Sequence, residues 1–332
     1  MAQPVRFGVN FLPHRALELL DWAKVAEDTG FDIVGVADSQ SLYRDVYVCE
    51  ALVARETRRV RFGSRVINPI TRHPAVSASA AATLEELAPG RTMIGIGTGD
   101  SSTDNLGLKP ASLERLRAYV IAMRELLVTG HTVFNGAPCN LDWFRRPIPI
   151  YLAASGPKTL QLAGEIADGV IINTGLTPEV IRDSIEQVKI GCARAGRSLD
   201  AVDMWWLPLT NLRDNRAAAI DEIAMSLASA GSHLARFTTA GKHIPPELHE
   251  RVVELGRRYN SDQHDKPTSA NRELAKELGL LDYLADRFGI AGTATDCIKK
   301  IERAVDAGAR QFWMSIHFDD KARFMRDWAR EV

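Results

Sequence analysis

Short apolar, β-branched runs alternate with stretches of helical spacing along most of the chain. Residues 7–11 read as a strand, and 16–28 place Leu19, Leu20, Ala23 and Ala26 at helical intervals. The rhythm continues with strand 33–36, helix 47–55, strand 61–67, an alanine-rich helix 74–87 and strand 92–96. A helix follows at 113–127, with Leu116, Val120, Met123 and Leu127 on one face. Beyond it come strand 148–153, helix 158–167, strand 169–173, helix 178–195 and strand 201–209. Alternation on this scale calls for a parallel sheet with helical crossovers. Two segments, "DTGFDIVGV" at 28–36 and "DAGARQFWM" at 306–314, show a helix stopped by glycine just before a strand. Glycine takes the left-handed conformation that ends such helices. The second segment supplies an eighth strand, 311–316, and 319–330 the last helix. Eight strands with crossovers predict a closed (β/α)8 barrel; an open doubly wound sheet is the competing arrangement.

Residues 212–293 break the rhythm. Helical spacing holds over 213–230, after which "TAGKHIPPELHE" and "SDQHDKPTSANRE" bring turn formers, charge and proline. We read 231–290 as a mostly helical insertion between strand seven and the last βα unit, placed on the catalytic rim as a lid. A smaller insertion spans 130–144. The 332 residues suit one such barrel with this addition, so 1–332 is expected to be a single domain.

Composition narrows the field. Hydrophobic residues make up 45% and charged residues 25%, as in a globular protein with a large core. Lys plus Arg number 41 against 42 Asp plus Glu, which gives no basic surface for nucleic acid or an acidic membrane. No apolar run reaches the length of a membrane span, and the first residues lack a secretory signal pattern. The four cysteines lie far apart without zinc-ligand spacing, which fits reduced thiols and a cytoplasmic location.

In a parallel barrel the polar residues just past each strand face the pocket. Here these are His14; Asp38, Ser39 and Gln40; Asn68, Thr71, Arg72 and His73; Gly97, Gly99, Asp100 and Ser101; 155–158; Asn173, Thr174 and Gly175; and His317. "GIGTGD" at 95–100 lacks the last glycine of a dinucleotide fingerprint. It reads as a strand end stripped of side chains so that a flat ring can approach, or else as a tight turn. "AASGPKT" at 153–159 leads into a helix opened by Pro157, whose first N–H groups suit a phosphate, unless Ser155 caps them. Lys158 would add charge, and Asn173, Thr174 and Gly175 a neighbouring wall. Asp38 is open to three roles: ring acceptor, base or cap. Arg72 would reach a ligand anion or fix its loop, and His317 is the better acid/base candidate beside a structural His73. No nucleophile triad, metal spacing or acidic pair stands out, which points to a cofactor carrying the chemistry.

Several motifs resemble the bacterial luciferase-like superfamily, nearest to its methylenetetrahydromethanopterin reductase-like branch. They are "RDVYV" at 44–48, "NPITRHPAVSASAAATLEELAPGR" ending at Arg91, "IGIGTGDS" at 94–101, "LGLKPA" at 106–111 and "AASGPKTLQLAGEIADGVIIN" at 153–173. The resemblance implies a barrel holding FMN, or the deazaflavin coenzyme F420, at the C-terminal ends of its strands. The family's phosphate loop falls on Ala154, Ser155, Gly156 and Pro157. Its non-proline cis peptide falls at Arg65–Val66, behind the ring, where members often carry glycine or serine in place of Arg65. The sugar-phosphate dehydrogenase branch has histidine after the strand-two aspartate and glutamate at position 100. This chain has Ser39 and Asp100, so that branch's catalytic base is missing.

The leading expectation is a two-component monooxygenase, in which a separate reductase supplies reduced FMN that reacts with oxygen and a small organic substrate. Asp38, Asp100, Arg72 and His317 are its candidate catalytic residues. Asp38, Arg65, Val66, Asn68, Gly99, Asp100, 154–157 and 173–175 are its candidate cofactor contacts. Hydride transfer with F420 is the close alternative, and a non-catalytic flavin-binding protein is the alternative of another class. The family also makes a homodimer the expected assembly.

Overall fold

A computed structural model describes residues 4–260 and 270–332. The first half runs β1 (Arg6–Phe11), α1 (Ala16–Asp28), β2 (Ile33–Val36), α2 (Val46–Glu56), β3 (Arg61–Ile67), α3 (Pro74–Leu87), β4 (Thr92–Ile96), α4 (Ser101–Asp104) and α5 (Leu113–Thr129). A hairpin of β5 (His131–Phe134) and β6 (Ala137–Asn140) precedes β7 (Ile150–Ala154), α6 (Pro157–Ile166), β8 (Gly169–Ile172), α7 (Pro178–Arg194) and β9 (Asp203–Trp206). Then come β10 (Leu209–Leu212), α8 (Arg216–Glu222), α9 (Ala224–Ala235), α10 (His249–Arg258), α11 (Ala270–Glu277) and α12 (Leu281–Phe288). β11 (Gly289–Gly292), α13 (Ala294–Asp306), β12 (Gln311–Ser315) and α14 (Lys321–Glu331) complete the chain.

Strands β1, β2, β3, β4, β7, β8, β9 and β12 pair in that order, and β12 returns to β1. The closing pair is parallel, in register from Arg6 with Gln311 to Asn10 with Ser315. The result is the closed eight-stranded α/β barrel that the alternation predicts, not an open sheet. Both glycine stops hold, with Gly30 at φ 83° and Gly308 at φ 114°.

Three local features depart from the sequence reading. The strand expected over 201–209 is cut in two, because Pro208 has no N–H to give the ladder. Beyond it, β10 pairs with β11, a Gly-Ile-Ala-Gly strand too poor in β-branched residues to register as one. The insertion at 130–144 is a hairpin turned by Asn135 and Gly136, both at positive φ, the two-residue turn such strands favour. The helix expected over 213–230 is two, α8 and α9, parted at Ile223.

Alternation along the strands sorts side chains into two cores. Those facing outward meet the helices in the main apolar core, around Val9, Phe62, Ile94, Leu152 and Phe312. Those facing inward fill the barrel with Ile33, Met93, Tyr151, Ile171, Trp205 and Trp313. At the lower end of the barrel, Asp203 receives hydrogen bonds from Arg6, Tyr151 and Trp205 at 2.7–3.1 Å, and a further one from Gln311. Helices α9 to α12 carry a third apolar cluster of their own, including Leu227, Val252, Leu255, Leu274 and Leu284. Residues 261–269 of the insertion lie outside the described residues.

Helices α6 and α7 approach through facing glycines. A Cβ on Gly164 would lie 2.1 Å from the Val188 carbonyl oxygen, and one on Gly191 would lie 1.9 Å from that of Gln161. Because the obstacle is backbone, Gly164→Ala has no cheap relaxation. The expected cost is about 1–3 kcal/mol, read as a lower midpoint in denaturant.

Candidate active site

The C-terminal ends of the barrel strands open into a cleft of about 310 Å³. Of the sequence candidates it gathers Asp38, Arg65, Val66, Gly99, Asp100, Ala154, Ser155, Asn173 and His317. Gly156, Pro157 and Thr174 line a smaller recess beside it, together with Lys242 and Arg287. Asn68, Arg72 and Gly175 lie behind this surface and act on it through neighbours.

The floor is small-residue backbone. A Cβ on Gly97 would meet Val66 Cγ2 at 2.9 Å, and one on Gly95 would meet the Ser64 carbonyl at 2.2 Å. The peptide Arg65–Val66 is cis. The β3–β4 register shifts between Ser64 and Ile67, so the strand bulges at this point. Asn10 is buried against the same cleft, and its side-chain oxygen finds no partner among the described residues. A flat, polar-edged ring fits such a floor.

The recess is anion-friendly. Gly156 is the N-cap of α6, and no side chain caps that helix, so Ser155 leaves its first N–H groups free. Lys158, on the exposed face of α6, lines neither space. The cation beside the loop is Lys242, whose Cε comes within 3.9 Å of where a Gly156 Cβ would stand. Lys242 Nζ donates to the carbonyls of His233 and Arg236, while burial and the nearby guanidiniums bring its pKa down to about 8. Arg287 of α12 donates to the carbonyls of Thr174, Lys242 and His243, tying the loop after β8 to the insertion.

Both rim carboxylates are already engaged. Asp38 is held by Arg72 through two hydrogen bonds of 2.6 and 3.1 Å, and Arg72 also reaches Asp45, the true N-cap of α2. Burial nevertheless leaves the Asp38 carboxyl above its ordinary range, with Arg72 pulling the other way. Glu50, deeper in α2, is pushed far up by burial and by the charges of Asp38 and Asp45. Asp100 lies 3.0 Å from His233 Nε2 and is bonded to Arg236, both from the end of α9 and the turn after it. Burial pushes its carboxyl up, but those contacts outweigh it and hold the group well below the usual carboxylate range. His317 Nδ1 sits 2.7 Å from Ser226 Oγ of α9. Asn68 braces its own loop, accepting from Ile70 and Thr71 N–H and donating to Ser102 Oγ. His73 accepts the Ala75 N–H and caps α3.

His233, Arg236, Lys242 and Arg287 escaped the strand-end rule because they arrive from the insertion. Their only sequence signal is a cation set within otherwise apolar or turn-forming stretches. No cluster among the described residues could hold a metal ion, and none of their helices is long and apolar enough to cross a membrane.

Comparison with known proteins gives this geometry a context. A family model described as luciferase-like monooxygenase matches residues 5–311. A 5,10-methylenetetrahydromethanopterin reductase of Archaeoglobus fulgidus is 34% identical over 326 residues, 92% of each chain. An F420-dependent glucose-6-phosphate dehydrogenase of Nakamurella multipartita is 30% identical over 99% of this chain and 96% of its own. Among solved structures, the coenzyme F420-dependent tetrahydromethanopterin reductase of Methanopyrus kandleri superposes with a TM-score of 0.81 at 24% identity, over 99% of both chains.

The Asp100 contacts join the barrel rim to the insertion, so Asp100→Asn is expected to lower stability by about 1 kcal/mol. The native carboxyl is depressed, so its contribution is full above the unfolded pKa of about 4 and fades as pH falls below it. Melting temperature followed against pH checks this. The wild type should lose its advantage over the variant on acidification, and parallel curves would contradict the assignment.

Proposed function

The chain belongs to the luciferase-like monooxygenase family and is an oxidoreductase, and we propose that it works with the deazaflavin coenzyme F420, moving a hydride to or from a small organic substrate. The relatives that share about a third of its residues favour the deazaflavin over the reduced FMN that the sequence alone ranked first. The observation that carries the reading is the junction of two surfaces in one mouth. A floor of Gly97 and Gly99 backbone beside Val66 meets the uncapped start of α6.

On this reading Val66, Gly97 and Gly99 would hold the ring, and the N–H groups of Gly156, Lys158 and Thr159, with Ser155 and Lys242 beside them, would hold a phosphate of its tail. Asn173 and the loop 173–175, clamped by Arg287, form the adjoining wall. When bound, the coenzyme supplies a ring carbon that takes or gives the hydride. The chain binds and orients, and it sheds water from the reacting faces. Arg72 keeps Asp38 fixed at the cleft edge. His317, oriented by Ser226, is the group placed to hold or pass a proton. Asp100, kept ionised, serves to dock Arg236 and His233 rather than to donate a proton at neutral pH. Helices α9 to α12 form the cover over the substrate side.

Titration with F420, followed by its own fluorescence, should give saturable binding, with FMN at least about tenfold weaker by the same protocol. Tighter binding of FMN than of F420 would sink the proposal. The phosphate contact has a separate check in Gly156→Asp. Position 156 is extended at φ −165°, so aspartate fits its backbone. It would cap α6 and hold or raise the melting temperature, while its charge lowers F420 affinity about tenfold or more. Unchanged affinity would place the phosphate elsewhere.

A further inference from the structure

The guanidiniums inside this barrel are treated unequally. At the lower end, Arg6 and Arg61 lie 3.1 and 4.0 Å from the carboxylate of Asp203. At the upper end, Arg65 follows Arg61 and Gly63 on the inward face of β3 and crosses the barrel to β12. There it donates to the Trp313 carbonyl at 3.0 Å and to Ser315 Oγ at 2.6 Å, and lies over the Trp313 ring. No carboxylate pairs with it among the described residues. A half-buried charge at the base of a cavity is ordinarily neutralised by a partner. Burial draws its pKa down only to about 9, so the cation persists at neutral pH.

Arg65 lines the main cleft and also a second cavity of about 160 Å³ that runs from the cleft toward α9. Leu207, Leu209 and Met225 give that cavity an apolar wall. Asp100 stands at its edge, but its oxygens are taken by His233 and Arg236. The space is therefore a small chamber, apolar along one wall and lined elsewhere by Asn173, Ser226, Ser229, His233 and His317, with a fixed, unneutralised fork of N–H donors at its base. Planar guanidinium pairs best with a carboxylate, in two parallel hydrogen bonds. A cavity of this size holds about one benzene ring.

We propose that this chamber is the substrate site and that it selects a small organic carboxylate, whose anionic end pairs with Arg65 while its apolar body lies against Leu207, Leu209 and Met225. The proposal deepens the functional reading above, on which the word substrate rests. Ser315 and the Trp313 carbonyl are positioning groups that aim the fork into the chamber.

Benzoate and its neutral counterpart benzamide are the probes, titrated calorimetrically into the full chain saturated with F420. Benzoate should bind saturably and benzamide at least about tenfold more weakly. Arg65→Met keeps much of the side-chain bulk; it should reduce benzoate affinity to that of benzamide, a larger loss than any it causes in F420 affinity. Arg65→Lys keeps a point charge without the fork, so it should retain the preference for benzoate at severalfold lower affinity. This variant also decides the matter should the methionine variant fail to fold. Equal affinity for the two probes, no benzoate binding, or benzoate binding indifferent to Arg65→Met would each overturn the proposal. So would a loss of F420 affinity alone, which would hand the guanidinium to the ring. If the wild type binds no F420, it is the deazaflavin reading that fails, and the same series on the protein alone still decides the anion site.

Discussion

The return of β12 to β1 is the constraint on which everything else in this molecule rests. Five residue pairs in parallel register, from Arg6 with Gln311 to Asn10 with Ser315, join the two ends of the eight-stranded barrel. Because all eight barrel strands run the same way, closure brings eight C-terminal ends to a single rim. Strand ends separated by nearly the whole sequence then become neighbours. Arg65 reaches Ser315 across the mouth only because β3 and β12 are walls of one barrel. An open sheet of the same strands would leave β3 five strands away from β12.

Closure also forces a choice about what fills the interior. Packing beneath the rim comes from Trp205, Trp313, Tyr151, Met93 and Ile171, which leave little room for water. Polar groups above and below that plug sit in a poorly screening environment, where unpaired charge is costly. Below it, Asp203 answers two arginines. Above it, Asp38 and Asp100 are each held by groups brought from elsewhere: Arg72 from the loop before α3, and His233 and Arg236 from the insertion. The rim is thus preorganised. Its acids are committed to holding neighbouring groups in place, in keeping with the proposal that a coenzyme carries the redox step.

The alternation of short strands and amphipathic helices made the barrel legible, because each element repeats its own period over enough residues to register. The elements that escaped are those whose signal is short or negative. β11 has only glycine, isoleucine and alanine, and Pro208 divides a strand whose flanks look continuous. The Asn135-Gly136 turn is readable in principle, though it sits between strands of four residues. For the candidate site, the strand-end rule named Asp38, Gly99, Asp100, Ser155 and Asn173, which line the cleft, since position after a strand is a one-dimensional property. Asn68 and Arg72 were named by the same rule, yet they brace the loops behind the cleft, a distinction that depends on where a side chain turns. Lys242, Arg236 and Arg287 needed the fold of the insertion, which no local period encodes.

The same reasoning explains why cofactor identity was the hardest point to read. A floor of glycine backbone beside Val66 responds to flatness, and the open start of α6 responds to negative charge. FMN and a deazaflavin present both properties. At the reacting ring position they differ only as nitrogen against carbon, and a surface made of backbone and methyl groups has almost no chemical means to register that exchange. Discrimination has to come from side chains that address the ring edge or from the shape required of the tail. Those contacts are few and scattered, so they leave no motif. Overall identity to relatives integrates many such small constraints, and this is why similarity to an F420-dependent dehydrogenase supports the proposed coenzyme where the open start of α6 cannot.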